Sequence, residues 1–120
     1  MQNPLWLVRV VEEFSNDTEE LVGEFHLPPI ELTELQQLWG ASPDEPMVEC
    51  FEIGKEQAAF FQARASVDFD FTRSRYFLTA YTTDMDATRR DGGYMGTFPP
   101  PRELEAFPEA RLVMPKTPAC

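Results

Sequence analysis

Residues 5–27 read LWLVRVVEEFSNDTEELVGEFHL, and this stretch decides the fold. Leu5–Phe14 is rich in bulky and β-branched apolar residues, which favours a strand. Ser15–Thr18 are turn formers, whose short polar side chains can hydrogen-bond the local backbone. Glu20–Leu27 alternates well enough for a second strand, so the two segments predict a β-hairpin. Gly23 inside the second strand indicates a bulge or a close backbone approach.

The chain after this hairpin predicts two helices and two further strands. Apolar residues recur at helical spacing over Glu31–Trp39, and Gly40 is suited to end that helix. Residues 54–65 favour a second helix through their alanine and phenylalanine residues. Short strands are predicted at Met47–Ile53 and at Arg75–Thr83.

The element order defines the expected architecture. Residues 67–71 alternate apolar and acidic side chains, which is typical of a strand with one wet face. The more strongly predicted elements, without this segment, follow one another in the order β-β-α-β-α-β. This order predicts an α+β fold with a small antiparallel sheet of about four strands and helices on one face. The other face of such a sheet can stay in water, where it is available for binding.

The last third of the chain differs in composition from the rest. Gly92 and Gly93 interrupt it, and six of the eleven prolines lie from Pro99 onward, so no regular structure is expected there. We therefore divide the chain into an α+β domain at residues 1–84 and an irregular Pro-rich extension at residues 85–120. The extension either stays loose or packs through a few apolar residues, namely Tyr94, Phe98, Leu104, Phe107 and Leu112.

Acidic residues dominate the charge of the protein. The formal net charge is −11, and residues 1–70 hold fifteen acidic and three basic side chains. Such a field repels nucleic acid and anionic membranes, and it attracts basic partners by long-range steering. Excess carboxylates also keep proteins soluble without any partner, so the charge alone leaves both interpretations open.

No motif in the sequence predicts an enzyme. There is no nucleophile motif, phosphate-binding loop or dinucleotide fingerprint. His26 is the one histidine, and a lone histidine in a strand is more often structural, because acid–base catalysis needs positioned partners. Cys50 and Cys120 add no metal-binding spacing, so neither a metal nor a cofactor is expected.

Cysteine usage and hydropathy predict a cytoplasmic protein. Two cysteines do not make a disulfide framework, so reduced thiols are the simpler interpretation. The N-terminal stretch lacks the basic head and cleavage site of a signal peptide. No apolar run approaches the roughly 18 residues that a membrane span needs.

The hairpin sequence FSNDTEELVGE at residues 14–24 resembles the first hairpin of the cloacin immunity family, which protects producers of ribosome-cutting colicins. There too an aromatic residue ends strand one, a polar turn carries Thr-Glu, and a Gly-Glu pair lies in strand two. Further matches follow in the same order at similar spacing across residues 5–84. They are Leu38-Trp39-Gly40, Cys50-Phe51-Glu52-Ile53, Phe61-Gln62, Val67-Asp68 and Tyr76-Phe77-Leu78.

The resemblance implies a four-stranded antiparallel sheet whose exposed face binds the basic nuclease domain of a toxin. It also implies that residues 67–71 or a neighbouring segment are not a full strand. By position in the family, the expected toxin-binding residues are Phe14, Asp17, Glu49, Cys50 and Glu52. Phe14 and Cys50 are equally compatible with core positions, and the three acids with solvated charge.

The sequence therefore predicts an immunity protein, not an enzyme, which neutralises a cognate toxin by stoichiometric, electrostatically steered binding. The alternative is an acidic adaptor or regulatory module for another basic protein, and a small enzyme that uses His26 is a third class. The activity of the toxin and the oligomeric state stay open. The family ends soon after its last strand, so residues 85–120 could grip the toxin, form a dimer contact or cover a sheet edge.

Overall fold

The computed structural model of the chain describes residues 3–102. Within this range four strands and three helices form one α+β unit, and the predicted fold class is confirmed. In chain order they are β1 (Leu7–Ser15), β2 (Leu21–His26), α1 (Leu32–Trp39), β3 (Phe51–Ile53), α2 (Lys55–Ala65), β4 (Ser74–Thr82) and α3 (Met85–Arg90). The strands pair antiparallel in the order β2-β1-β4-β3.

The β1–β2 hairpin forms as the sequence predicts. The hydroxyl of Ser15 accepts a hydrogen bond from the amide of Asp17 at 3.1 Å, which fixes the start of the turn. The register shifts between Glu13 and Phe14, because Glu13 lies opposite Gly23 and the next residue lies opposite Leu21. An extra residue in β2 is therefore accommodated beside the glycine, and the predicted irregularity at Gly23 is confirmed.

Both longer helices pack on one face of the sheet, as predicted. Val11 of β1 and Leu78 of β4 are cross-strand neighbours at the centre of this face. They belong to one buried cluster with Leu35 of α1 and Phe61 of α2. Burying each such side chain contributes roughly 1.5–3 kcal/mol to folding, so this cluster holds the helices on the sheet. Helix α1 ends where Gly40 adopts a left-handed conformation with φ of 63°.

The third strand is shorter than the predicted Met47–Ile53. The guanidinium of Arg9 donates to the carbonyl oxygens of Pro46 at 3.1 Å and of Met47 at 3.4 Å. Met47 also has a positive φ of 55°, which is incompatible with a strand. The start of the segment is therefore held away from the ladder, and only Phe51–Ile53 pairs with β4.

Residues 67–71 do not form a strand, in agreement with the family resemblance and against their alternating pattern. Phe69 and Phe71 stack with ring centroids 5.8 Å apart, and both contact the ring of Tyr76. The amide of Asp70 donates to the Tyr76 hydroxyl at 2.9 Å. The apolar residues of this segment thus pack against one side chain of β4 and do not pair with a neighbouring strand.

The described part of the expected extension is more regular than predicted. Met85–Arg90 is a short helix, whose first turn is capped by the carboxylate of Asp84 accepting from the amide of Ala87 at 3.0 Å. Tyr94 is buried, as predicted, and its hydroxyl donates to the side chain of Asn3 at 3.0 Å. Leu104, Phe107 and Leu112 lie outside the described residues.

The sequence predicts that the sheet face opposite α1 and α2, called the second face below, is open to water. In the structure this face is buried. Val10, Phe14, Phe77 and Tyr81 project from it and are all buried. Phe14, Leu21 and Phe77 pack together with Cys50 as a second apolar cluster. The expectation of an exposed binding face is therefore wrong, because the sheet carries apolar side chains on both sides.

Candidate functional site

The two apolar residues of the predicted toxin-binding set pack in the second apolar cluster. Phe14 is 2% exposed, and its ring meets that of Phe77 edge-on at 5.7 Å. Cys50 is partly buried, packs against the same cluster and lines a cleft beside Glu49. Cys120, the other cysteine of the sequence, lies outside the described residues. Phe14 therefore presents no accessible anchor to a partner.

Glu49 and Glu52, called the acidic edge below, are exposed side chains beside the outermost strand β3. Glu52 contacts Arg75 at 3.5 Å, and both side chains are about half exposed, so solvent screens this pair strongly. Within residues 3–102 no ion pair involves Glu49. The acidic edge is thus available to a basic partner.

Asp17 is exposed but lies far from the acidic edge. Phe51 of β3 is level with Leu78 of β4, which is level with Val11 of β1. Asp17 lies in the turn after β1, whereas Glu49 and Glu52 lie just before and within β3, and β4 separates these two strands. The structure therefore keeps Glu49 and Glu52 together and separates Asp17 from them.

A cleft of about 530 Å³ lies next to the acidic edge, between Val48–Cys50 and Thr97–Arg102 and over β4. Glu49 lines it, and Phe98, which is 47% exposed, lines it from the other segment. The backbone of Arg102 and the neighbouring Pro100 hold this segment in place by two hydrogen bonds of 2.9 Å with Thr82. An exposed aromatic side chain beside acidic groups is typical of protein-binding surfaces.

Arg102 extends from the cleft onto the second face. Its guanidinium lies 4.7 Å from the ring centroid of Tyr81, and it donates to Oε1 of Glu24 at 2.8 Å. Burial disfavours the charged form of Arg102 and so lowers its pKa. The hydrogen bond to Glu24 and the charge of Glu24 raise the pKa and outweigh burial, with smaller contributions from Tyr81 and Glu12. The pKa of Arg102 is consequently raised above its ordinary value.

The only histidine is placed beside this pair. His26 Nε2 lies 3.7 Å from Oε1 of Glu24, and the histidine side chain is partly buried. Within residues 3–102, no group of three or more His, Cys, Asp or Glu side chains could hold a metal ion. In the same range no helix is long and apolar enough to cross a membrane.

A family model described as a domain of unknown function, DUF7683, matches residues 8–79. The chain belongs to this family. The match begins in β1 and ends in β4, so the DUF7683 region contains α1 and α2 and nearly all of the sheet. No curated protein and no solved structure matches the chain.

The boundary of the DUF7683 match divides the candidate site. Glu49 and Glu52 lie inside the matched region, whereas Phe98 and Arg102 lie after it. The family resemblance indicated the two acids, whereas the sequence pattern placed Phe98 among packing residues. The glycine and proline residues around Phe98 predict a turn, and nothing in their pattern indicates which side chain that turn exposes.

Proposed function

We propose that the protein is an immunity protein that binds a basic toxin domain, of the nuclease type, and neutralises it stoichiometrically. The observation that supports this proposal most is that Glu49 of the acidic edge and the exposed Phe98 line the same cleft. Acidic groups attract a basic partner, and an aromatic anchor can be buried by it. This combination suits protein recognition and offers no catalytic centre.

The two parts of the surface have separate physical roles. Carboxylates at the rim of an interface accelerate the encounter with a positively charged partner, and this acceleration weakens as salt screens it. An apolar side chain that becomes buried in the complex mainly slows dissociation. Phe98 takes this role here, because Phe14, the aromatic residue that the family resemblance implies at the interface, is buried in the free protein.

The fold agrees with what the cloacin immunity resemblance implies. A four-stranded antiparallel sheet with helices on one face is present, and the stretch over residues 67–71 is not a strand. The proposal differs from the resemblance in the contact surface, which lies at the β3 edge and not on an open sheet face. We place the protein in the cytoplasm, as cysteine usage and hydropathy predict.

Co-purification with the protein encoded immediately upstream tests the proposal, because immunity genes accompany their toxin genes. We expect a one-to-one complex when the pair is co-expressed and this chain alone carries the affinity tag. Glu49→Lys/Glu52→Lys should reduce recovery of the neighbouring protein, whereas charge reversal of two distant acidic residues should not. Failure to recover the neighbour contradicts the proposal, and recovery of a neighbour that has no toxicity favours the adaptor function.

A further inference from the structure

A tight turn over residues 94–97 holds a strained residue directly before Phe98. The amide of Tyr94 donates to the carbonyl oxygen of Thr97 at 2.8 Å, and the amide of Thr97 donates back to Tyr94 at 2.9 Å. Between them, Met95 and Gly96 have positive φ of 51° and 84°. Positive φ at both central positions defines a type I′ turn, for which Asn-Gly is a preferred pair. Methionine at the first position therefore costs stability, because its Cβ disfavours the left-handed conformation.

The strained side chain is exposed and lies close in sequence to another exposed apolar residue. Within residues 3–102, the exposed large hydrophobic side chains are Leu5, Met95 at 39% and Phe98 at 47%. Full burial inside the fold therefore does not offset the strain at Met95. Strain of this kind is concentrated at functional surfaces, and methionine is frequent where a surface must adapt to a partner.

The ring of Phe98 is held in position in the free protein. A Cβ at Gly93 would lie 3.1 Å from two carbon atoms of this ring, so the glycine leaves the space that the ring needs. The turn is fixed on one side by the buried Tyr94. On the other side, Thr82 donates its amide to the carbonyl oxygen of Pro100 at 2.9 Å. A turn that is fixed on both sides loses little conformational entropy when a partner buries its exposed side chains.

The charge around the turn indicates which kind of partner fits it. Thr97 and Phe98 line the same cleft as Glu49, and the net charge of the chain is −11. A partner that buries the apolar side chains brings the rim of its own surface close to these carboxylates. Complementarity therefore requires cationic groups around an apolar depression. A second copy of this acidic chain would bring like charges together and is disfavoured.

We infer that Met95 and Phe98 form one preorganised apolar anchor, which inserts into an apolar depression that Lys and Arg side chains surround on the basic partner. The identity of that partner rests on the proposed function. The DUF7683 match ends at residue 79, before the turn begins. The matched region thus supplies the scaffold and the acidic edge, and the segment after it supplies the anchor.

Thermal unfolding of the free protein tests the strain at Met95. Met95→Asn creates the Asn-Gly pair that suits a type I′ turn, so we expect the unfolding midpoint to rise by a few degrees. Phe98→Ala removes an exposed side chain and should change the midpoint much less. A midpoint of Met95→Asn that is unchanged or lower than that of the wild type would overturn the strained anchor.

Affinity for the upstream-encoded protein, measured by titration calorimetry, tests the anchor itself. The Kd should rise several-fold in Met95→Asn, although this variant is the more stable, and tenfold or more in Phe98→Ala. Gly93→Ala should also raise the Kd, because it displaces the ring of Phe98. Gly92→Ala is strained in the same way but meets no atom within 4 Å, and below its unfolding midpoint it should bind like the wild type.

The outcomes separate the anchor from the proposed function. A Kd that is unchanged in both Met95→Asn and Phe98→Ala would overturn the anchor, even where the wild-type chain neutralises a toxin. A harmless neighbour that binds through these two residues would support the anchor and contradict the immunity function.

Discussion

Tyr76 of β4 donates its hydroxyl proton to Oε2 of Glu13, its cross-strand partner in β1, at 3.3 Å. The same oxygen accepts a hydrogen bond from the hydroxyl of Ser74 at 2.7 Å. Tyr76 is buried, and its oxygen in turn accepts from the amide of Asp70. Burial, followed by the charge of Glu13, raises the pKa of Tyr76 above its ordinary value. This contact joins the centre of the sheet to the loop that follows α2.

The raised pKa of Tyr76 makes part of the stability sensitive to alkaline pH. The folded state holds the phenolic proton more tightly than the unfolded state, so this contribution is complete below the unfolded pKa of about 10 and is lost as pH rises above it. At neutral pH we expect Tyr76→Phe to lower the free energy of unfolding by about 1 kcal/mol through lost hydrogen bonds. Urea unfolding as a function of pH should show this difference shrinking above about pH 10. A difference that stays constant there would contradict the assignment.

Arg9 should be a structural residue whose removal loosens the segment before β3. Its buried guanidinium satisfies the carbonyl oxygens of Pro46 and Met47 and the side chain of Asn3. Arg9→Ala should lower the free energy of unfolding by about 1–3 kcal/mol, because buried acceptors lose their donor. The stability of Arg9→Lys should lie between that of the wild type and that of Arg9→Ala, because one ammonium group cannot reproduce the hydrogen bonds of the guanidinium. Urea unfolding measures this order, and an alanine variant as stable as the wild type would contradict it.

Two neighbouring glycines separate backbone strain from steric overlap in the turn before Phe98. Gly92 and Gly93 have φ of 77° and 79°, so alanine at either position costs about 1–2 kcal/mol in strain. A Cβ at Gly93 would also lie 2.7 Å from the carbonyl oxygen of Thr97, whereas one at Gly92 meets no atom within 4 Å. Gly93→Ala should therefore lower the thermal unfolding midpoint more than Gly92→Ala. If the unfolding midpoint falls equally in both variants, the contact with Thr97 is relieved without an energetic cost, which would contradict the prediction.

Reversal of the acidic edge should weaken partner binding and reduce its salt dependence. For Glu49→Lys/Glu52→Lys we expect about a tenfold or greater rise in Kd at low salt, because two attractive charges become repulsive. Asp68→Lys/Glu19→Lys changes the net charge equally at exposed positions far from the cleft, and it should change Kd much less. Titration calorimetry at several salt concentrations measures both effects. Similar losses in the two variants would mean that net charge, and not the acidic edge, drives binding.

The β1–β2 hairpin and α1 could be predicted because their sequence patterns record local burial. The hairpin follows from two apolar segments around a polar turn, and α1 from leucine spacing that Gly40 terminates. The length of β3 could not be predicted, since it depends on hydrogen bonds between Arg9 and carbonyls thirty-seven and thirty-eight residues away. Long-range contacts of this kind leave no periodic signal in the segment that they bend.

The burial of the second face did leave a signal in the sequence. Residues 5–11 read LWLVRVV, with apolar side chains at both alternating sets of positions. A strand with apolar residues on both sides predicts that both faces of the sheet are covered. In β4, Phe77 and Tyr81 are the apolar residues on the second face. The candidate site was predicted only in part. Glu49 and Glu52 are exposed as expected, whereas the exposure of Phe98 and the position of Arg102 depend on how the chain turns after β4.

Growth of cells that express the upstream-encoded protein, with and without this chain, tests the central claim most directly. We expect the neighbour alone to arrest growth and co-expression of the wild-type chain to restore it. Glu49→Lys/Glu52→Lys, at the same expression level, should restore growth less well. A neighbour that is harmless alone, or one whose toxicity persists when the wild-type chain is present, would contradict the assignment as an immunity protein.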